Sequence, residues 1–275
     1  MTETHEVWMG YLVSSTTSYT VVQSPFMHDE VRVFGADSDA TTMVVAAILH
    51  RLRSETIDSI SVPKGVDAAI VAITCGVHVA SENPTEPCLW DVLTGDEAMV
   101  VLSRRDATVE IPRLDVTVDV DPEHQSAIET AWELEMAPGH VSQGAFVSQA
   151  MYLEGAHARL AMKGQQGPEG LVWPPRFGDQ ADEPVQIESV SPVGSVLSWT
   201  QLSAAGAPSE FSLRAPLLGG LKTVLLALND GPRGVFLLVD DEDHDVNIGD
   251  RVELVLRRLY AQEGFMRYGL KGRLV

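Results

Sequence analysis

Two residue pairs stand where an ion could be held. Gln166 and Glu169 lie on one side of Trp173-Pro174-Pro175-Arg176, and Asp179 and Asp182 on the other. Within each pair two residues intervene, the spacing at which a tetrahedral metal ribbon places its ligands. The donors do not suit zinc, which takes thiolate or imidazole. One amide and three carboxylates are hard oxygen donors, better matched to Ca²⁺ or Mg²⁺. Loops for those ions usually need more ligands, so no bound metal is expected. The segment is instead expected to hold by packing, with the large ring of Trp173 as its centre. A second acidic cluster, Asp-Asp-Glu-Asp-His-Asp at 240–245, fits no EF-hand spacing and reads as a solvated turn. Cys75 and Cys88 are the only cysteines, so there is no disulfide framework. A buried free thiol is the ordinary state of such a residue. His124 reads as a solvated loop histidine and His157 as a helix-face histidine.

The chain that must position these groups has 275 residues, 45% hydrophobic and 21% charged, enough for one large domain or two ordinary ones. With 39 acids against 19 bases its formal charge is −20, which would repel phosphate and argues against a nucleic-acid partner. The opening "MTETHEVWMG" is polar and acidic, unlike a signal peptide. The longest apolar runs, "TTMVVAAIL" and "LLGGLKTVLLAL", fall short of the ~20 residues of a membrane span. A reduced, cytoplasmic protein with no membrane partner is the expectation.

Residues 1–140 alternate strand and helix signals. "YTVVQ" and "VRVFG" are short and β-branched. "ADSDATTMVVAAILHRLR" opens with acids and Ser38, good capping residues, and continues at helical spacing. "DAAIVAIT" reads as a buried strand of a parallel sheet. "GDEAMVVLSRRDATVEI" reads as a strand leaving a Gly-Asp turn and then a second strand, and "IPRLDVTVDV" as a further one. Together these give α/β character. Residues 142–163 read as one helix capped by Ser142, with Phe146, Ala150, Leu153, His157 and Leu160 on one face. From about 185 the pattern is all-β. "GSVLSWTQLS", "SEFSLRA", "LKTVLLALN", "RGVFLLVD", "DRVELVLRRLY" and "MRYGLKGRLV" are six strand candidates, and five or six short strands fit a small OB-like barrel. The expected division is an α/β domain over 1–140, a linking helix and loop module over 141–184, and a barrel over 185–275.

The C-terminal half resembles the acyl-CoA-associated OB-fold family that carries a rubredoxin-like zinc ribbon. "HARLAMK" matches the end of that family's helix, and "EGLVWPPRFGDQAD" its ribbon core, with Gly170, Pro174, Pro175 and Arg176 in place. "GSVLSWT", "APLLGGLKTVLLALNDGPRGVFLLVD", "VNIGDRVELVL" and "YGLKGRLV" match successive barrel strands. The likeness covers roughly residues 150–275. The family's four ribbon cysteines are replaced by Gln166, Glu169, Asp179 and Asp182, so it implies a degenerate ribbon without metal.

A patchier likeness, over about residues 30–115, is to thiolase-superfamily enzymes related to hydroxymethylglutaryl-CoA synthase. It rests on "FGADSDATTMVVAAILHRL" and "GDEAMVVLSRR". A full thiolase fold needs far more chain, so a reduced, partial thiolase-like domain is implied. Such enzymes form an acyl thioester on a cysteine with a histidine as base. Cys75, with His78 or His140, would be the counterpart, although "AITCGVH" and "APGHVSQG" do not match the family's motifs. Taken together, the two likenesses imply a non-catalytic accessory subunit of a thiolase-superfamily enzyme working on β-ketoacyl-CoA or related C–C bonds. It would dock the catalytic partner and help position a coenzyme A thioester, with no tightly bound cofactor. Arg176, Arg214 and Lys222 would then meet phosphates, and Trp173 would stack on adenine. For Arg176 an ion pair with Asp179 or Asp182 is the competing role. The alternative is an acyltransferase in its own right, using Cys75 and His140.

Overall fold

The computed structural model describes residues 4–80, 88–95, 97–112, 114, 116–137, 148–175, 186–241, 245–262 and 264–275. They are mostly β, with several sheets and few helices. The chain divides into two compact units, Met1–Gln125 and Ser126–Val275. No helix among the described residues is long and apolar enough to cross a membrane.

The first unit is built in the order β1 (Thr4–Trp8), β2 (Tyr11–Ser15), β3 (Tyr19–Gln23), β4 (Phe26–His28), β5 (Val31–Arg32), α1 (Ala40–Leu52), β6 (Ser59–Ser61), α2 (Ala68–Cys75), β7 (His78–Val79), β8 (Trp90–Thr94), β9 (Met99–Arg104) and β10 (Val118–Asp119). Its main sheet runs β1-β2-β3-β9-β8-β6-β7, antiparallel except where β6 meets β8 and β7. α1 packs between that sheet and α2, so every residue from Thr41 to Ile48 is buried, and the helix is apolar all round rather than on one stripe. Its start is a capping box: Asp39 Oδ1 accepts from Thr42 N at 2.9 Å, and Thr42 Oγ1 accepts from Asp39 N at 2.9 Å. Thr41 Oγ1 accepts from Asp67 N at 3.0 Å, tying α1 to the start of α2.

Several expectations are corrected here. "DAAIVAIT" is helix α2, not a strand. Asp67 caps it by accepting from Ile70 N, and Gly76 ends it in the left-handed conformation at φ 68°. "VRVFG" contributes only Val31–Arg32 to a strand, "IPRLDVTVDV" only Val118–Asp119, and the run following β9 forms none.

A helix not anticipated, α3 (Pro122–Met136), follows. Asp121 Oδ1 accepts from Glu123 N and His124 N, and Pro122 supplies a fixed φ at the first helical position. The second unit continues with α4 (Gln149–Leu160), β11 (Lys163–Gly167), β12 (Gly170–Val172), β13 (Ile187–Ser189), β14 (Val193–Leu202), β15 (Leu221–Leu228), β16 (Arg233–Leu237), β17 (Arg251–Gln262) and β18 (Phe265–Leu274). α4 is capped by Ser148, and Ser142 lies outside the described residues. Its buried face is Ala156 and Leu160 with half-buried Tyr152, whereas Ala150 and His157 are exposed. The expected face was therefore rotated.

β11, β12 and β13 form a small sheet. The other five strands form a sheet in the order β16-β15-β14-β17-β18. Its outer strands meet through a parallel bridge between Leu238 and Gly272, so the sheet curls back on itself. Gly272 is needed there, because a Cβ would lie 2.8 Å from Val252 Cγ1 and 3.2 Å from Leu238 Cδ2. Alternate residues of the strands fill a core of Val196, Val224, Leu226, Leu228, Val252 and Leu254. Each contributes about 1.5–3 kcal/mol by leaving water. "SEFSLRA" is no strand; residues 204–211 form two short 3-10 turns.

Candidate functional site

The opposite face of β17 and β18 buries charge beside hydrocarbon such as Val255, the register partner of Lys271. Arg214, Arg257 and Lys271 are each 1% exposed. Arg214 Nε reaches Glu135 at 3.0 Å and Nη1 reaches Asp240 at 3.3 Å, while Nη2 donates to Leu259 O at 2.6 Å. Its guanidinium lies 3.7 Å from the ring centre of Trp132. Lys271 Nζ meets the same Asp240 at 2.8 Å, and Arg257 Nε meets Asp241 at 3.4 Å. This overturns two expectations. Arg214 does not face a phosphate, because its fork is spent on internal acceptors. Asp240 and Asp241 are not solvated but neutralise buried cations, as a buried charge requires.

A cavity of about 560 Å³ lies elsewhere in the second unit, between α4, the Trp173-Pro174 segment and the outer strands of the curled sheet. α4 is fixed to β18 through Tyr152, whose hydroxyl accepts from Tyr268 N at 2.7 Å and donates to Tyr268 O at 3.1 Å. Arg267, 3% exposed, stacks 4.5 Å over the Tyr152 ring and donates to Gln149 Oε1. Trp173 stacks on Phe236 at 6.0 Å and 26° and packs against the apolar core. Its ring N–H is buried and meets no acceptor among the described residues. Tyr260 closes another wall; burial, with the charge of Glu210, raises its phenol against the lowering pull of Arg267 and Arg159.

The described lining combines five aromatic rings with three arginines, Arg159, Arg233 and Arg267, and no acid is among its described residues. Arg159 and Arg233 are exposed at the rim. On a chain of charge −20 a cavity whose described walls bring three cations together favours an anionic ligand that also has apolar or aromatic parts. Gly155 on α4 faces open space, with nothing within 4 Å of where a Cβ would stand. None of Arg159, Arg233, Arg267 and Tyr260 was singled out from the sequence. The signals present were the matched segments "HARLAMK" with Arg159 and "RGVFLLVD" with Arg233, and the strand candidates that contain Tyr260 and Arg267.

The remaining candidates do not converge. Gln166 is exposed on β11 opposite Leu171, and Glu169 is exposed in the hairpin turn. Asp179, Asp182, Arg176 and His140 lie outside the described residues. No cluster of metal-ligating side chains occurs among the described residues. Lys222 is half-buried on β15, opposite Gln201. Cys75 is the last residue of α2, its Sγ 4.0 Å from Val45 O. Burial pushes its thiol far up, and the negative end of a helix disfavours a thiolate further. Among the described residues no histidine is hydrogen-bonded to it; His78 is exposed. Cys88 is buried.

No protein-family model matches the chain, and no curated protein matches it. A solved structure titled "Ltp2-ChsH2(DUF35) aldolase" is similar over 47% of this chain and 98% of its own, at 19% identity and a TM-score of 0.31.

Proposed function

We propose that the chain is a non-catalytic accessory subunit of a thiolase-superfamily acyl-CoA enzyme, docking the catalytic subunit and helping to hold a coenzyme A thioester. The observation that carries this reading is the cavity whose described lining holds three arginines, five aromatic rings and no acid. Its rim cations, Arg159 and Arg233, suit phosphates, and its aromatic walls suit an adenine or an acyl chain. Trp173, expected to stack on adenine, is one of those walls. The strand order, with its parallel closing bridge, supports reading residues 185–275 as an OB-type barrel preceded by a metal-free ribbon. In the same reading the first unit is a reduced thiolase-like domain. The high thiol of Cys75 weighs against the chain being an acyltransferase itself.

Calorimetric titration with acetoacetyl-CoA tests the proposal. Binding should weaken by about tenfold in the Arg159→Ala/Arg233→Ala double variant. It should vanish in Gly155→Leu, where the new side chain enters the cavity. Equal affinity in all three proteins would refute the site. Immunoprecipitation from the native host, read by mass spectrometry, should recover a thiolase-superfamily subunit.

A further inference from the structure

The far half of β14 is an open edge. Val193–Ser195 pair with β17, and Val196 exchanges main-chain bonds with Gly249 and Asp250. A register shift follows between Val196 and Ser198, and beyond it only β15 pairs with the strand. Leu197 to Leu202 are all exposed, Trp199 at 46%. The main-chain groups that face outward follow from alternation. On β15 the even-numbered residues bond to the β16 side, as Leu228 N to Pro232 O and Leu238 N to Lys222 O show. The odd ones therefore bond to Ser198, Thr200 and Leu202, their register partners. The N–H and C=O of Trp199 and Gln201 are left pointing to the open edge, and no main-chain bond from another described residue meets them.

Natural proteins blunt such an edge with lysine, proline or a covering segment. Here the strand interior has no lysine or proline, no main-chain bond from a described segment covers Trp199 and Gln201, and no charged residue stands between Glu188 and Glu210. We propose that this edge pairs antiparallel with the same edge of a second copy, with Thr200 on the two-fold axis. Trp199 would exchange both main-chain hydrogen bonds with the partner's Gln201, and Gln201 with the partner's Trp199. Charge selects a second copy. An isologous contact sets each residue against itself or its near mate, so on a chain of −20 most of the surface would oppose like charges. This uncharged edge opposes none. The inference stands apart from the accessory reading, which would survive its failure.

Sedimentation equilibrium from about 1 to 200 µM tests it, with circular dichroism confirming the fold of each variant. The mass should rise toward twice the 29.8 kDa of one chain. Thr200→Glu and Thr200→Lys should each weaken association by at least about fivefold, through like charges on the axis. An equimolar mixture of the two should restore it. A wild type that stays at one chain mass throughout, or variants that associate as tightly as wild type, would overturn the proposal. The first result would leave the edge to a strand from a different protein.

Discussion

The two units share one way of burying charge, Arg51 with Glu55 at 3.2 Å in the first and Arg214 with Glu135 at 3.0 Å in the second, and differ in what else they bury. In the first, the Cys75 thiol and the His50 imidazole are buried as neutral groups: the thiol lies against the backbone of α1, and Nε2 of the imidazole is 2.7 Å from Glu6 Oε1. In the second, charges are buried in pairs, and the cations of the cavity wall are stacked on rings or left at the rim. Neutral burial removes reactivity. Paired burial braces a scaffold whose remaining arginines can receive an anion. In the proposed reading ligand contact falls to the second unit, and Cys75 has a packing role.

The sharpest way to break this contrast is to unpair a buried charge. Glu135→Ala removes one of the two acids that meet Arg214, leaving Asp240 at 3.3 Å, and should cost the second unit about 2–3 kcal/mol in urea denaturation. A loss under 1 kcal/mol would mean that water already reaches the pair. Next comes reactivity. Native Cys75 should react with iodoacetamide at least about tenfold more slowly than the same chain unfolded in urea, because only the thiolate attacks. Rapid labelling protected by acyl-CoA would restore the enzyme reading.

Smaller is the pH response of the first unit. Burial lowers the imidazole of His50 below its free value of 6.5, against the opposing pull of Glu6. Burial raises the Glu6 carboxyl, but the hydrogen bond from His50 and the charge of Arg53 outweigh it, so Glu6 lies below 4.5. Both folded values are depressed, so the unfolded chain takes up protons first as the pH falls. Stability is full above about pH 6.5 and declines below it, first through His50 and then through Glu6. Melting of the wild type should fall between pH 7 and 5, and His50→Gln should flatten that slope. The smallest effect is on the cavity's own helix. Gly155→Leu should raise stability by about 0.5–1 kcal/mol, since glycine is a poor helix residue and the space is open.

Much of the second unit was legible in its strands because β14, β15, β17 and β18 are runs of eight or more residues rich in Val, Leu and aromatic residues, bounded by Gly, Asn and Asp turns. α2 was not. An eight-residue apolar run has no distinguishing period, and only Asp67 and Gly76 at its ends mark it as helical. α3 carried a readable signal in Asp121-Pro122 that its acidic, weakly patterned body obscured. The role of Arg214 was beyond sequence reasoning, because Glu135 lies 79 residues away and only the fold joins them. The cavity was hidden for the same reason: Arg159, Arg233 and Arg267 come from three separate elements.

The most direct test of the central claim is to mix the purified chain with acetoacetyl-CoA while following tryptophan fluorescence and release of free thiol together. The account predicts a saturable fluorescence change, lost in Trp173→Phe and in Gly155→Leu, with no thiol released. Release of coenzyme A that disappears in Cys75→Ser would contradict it.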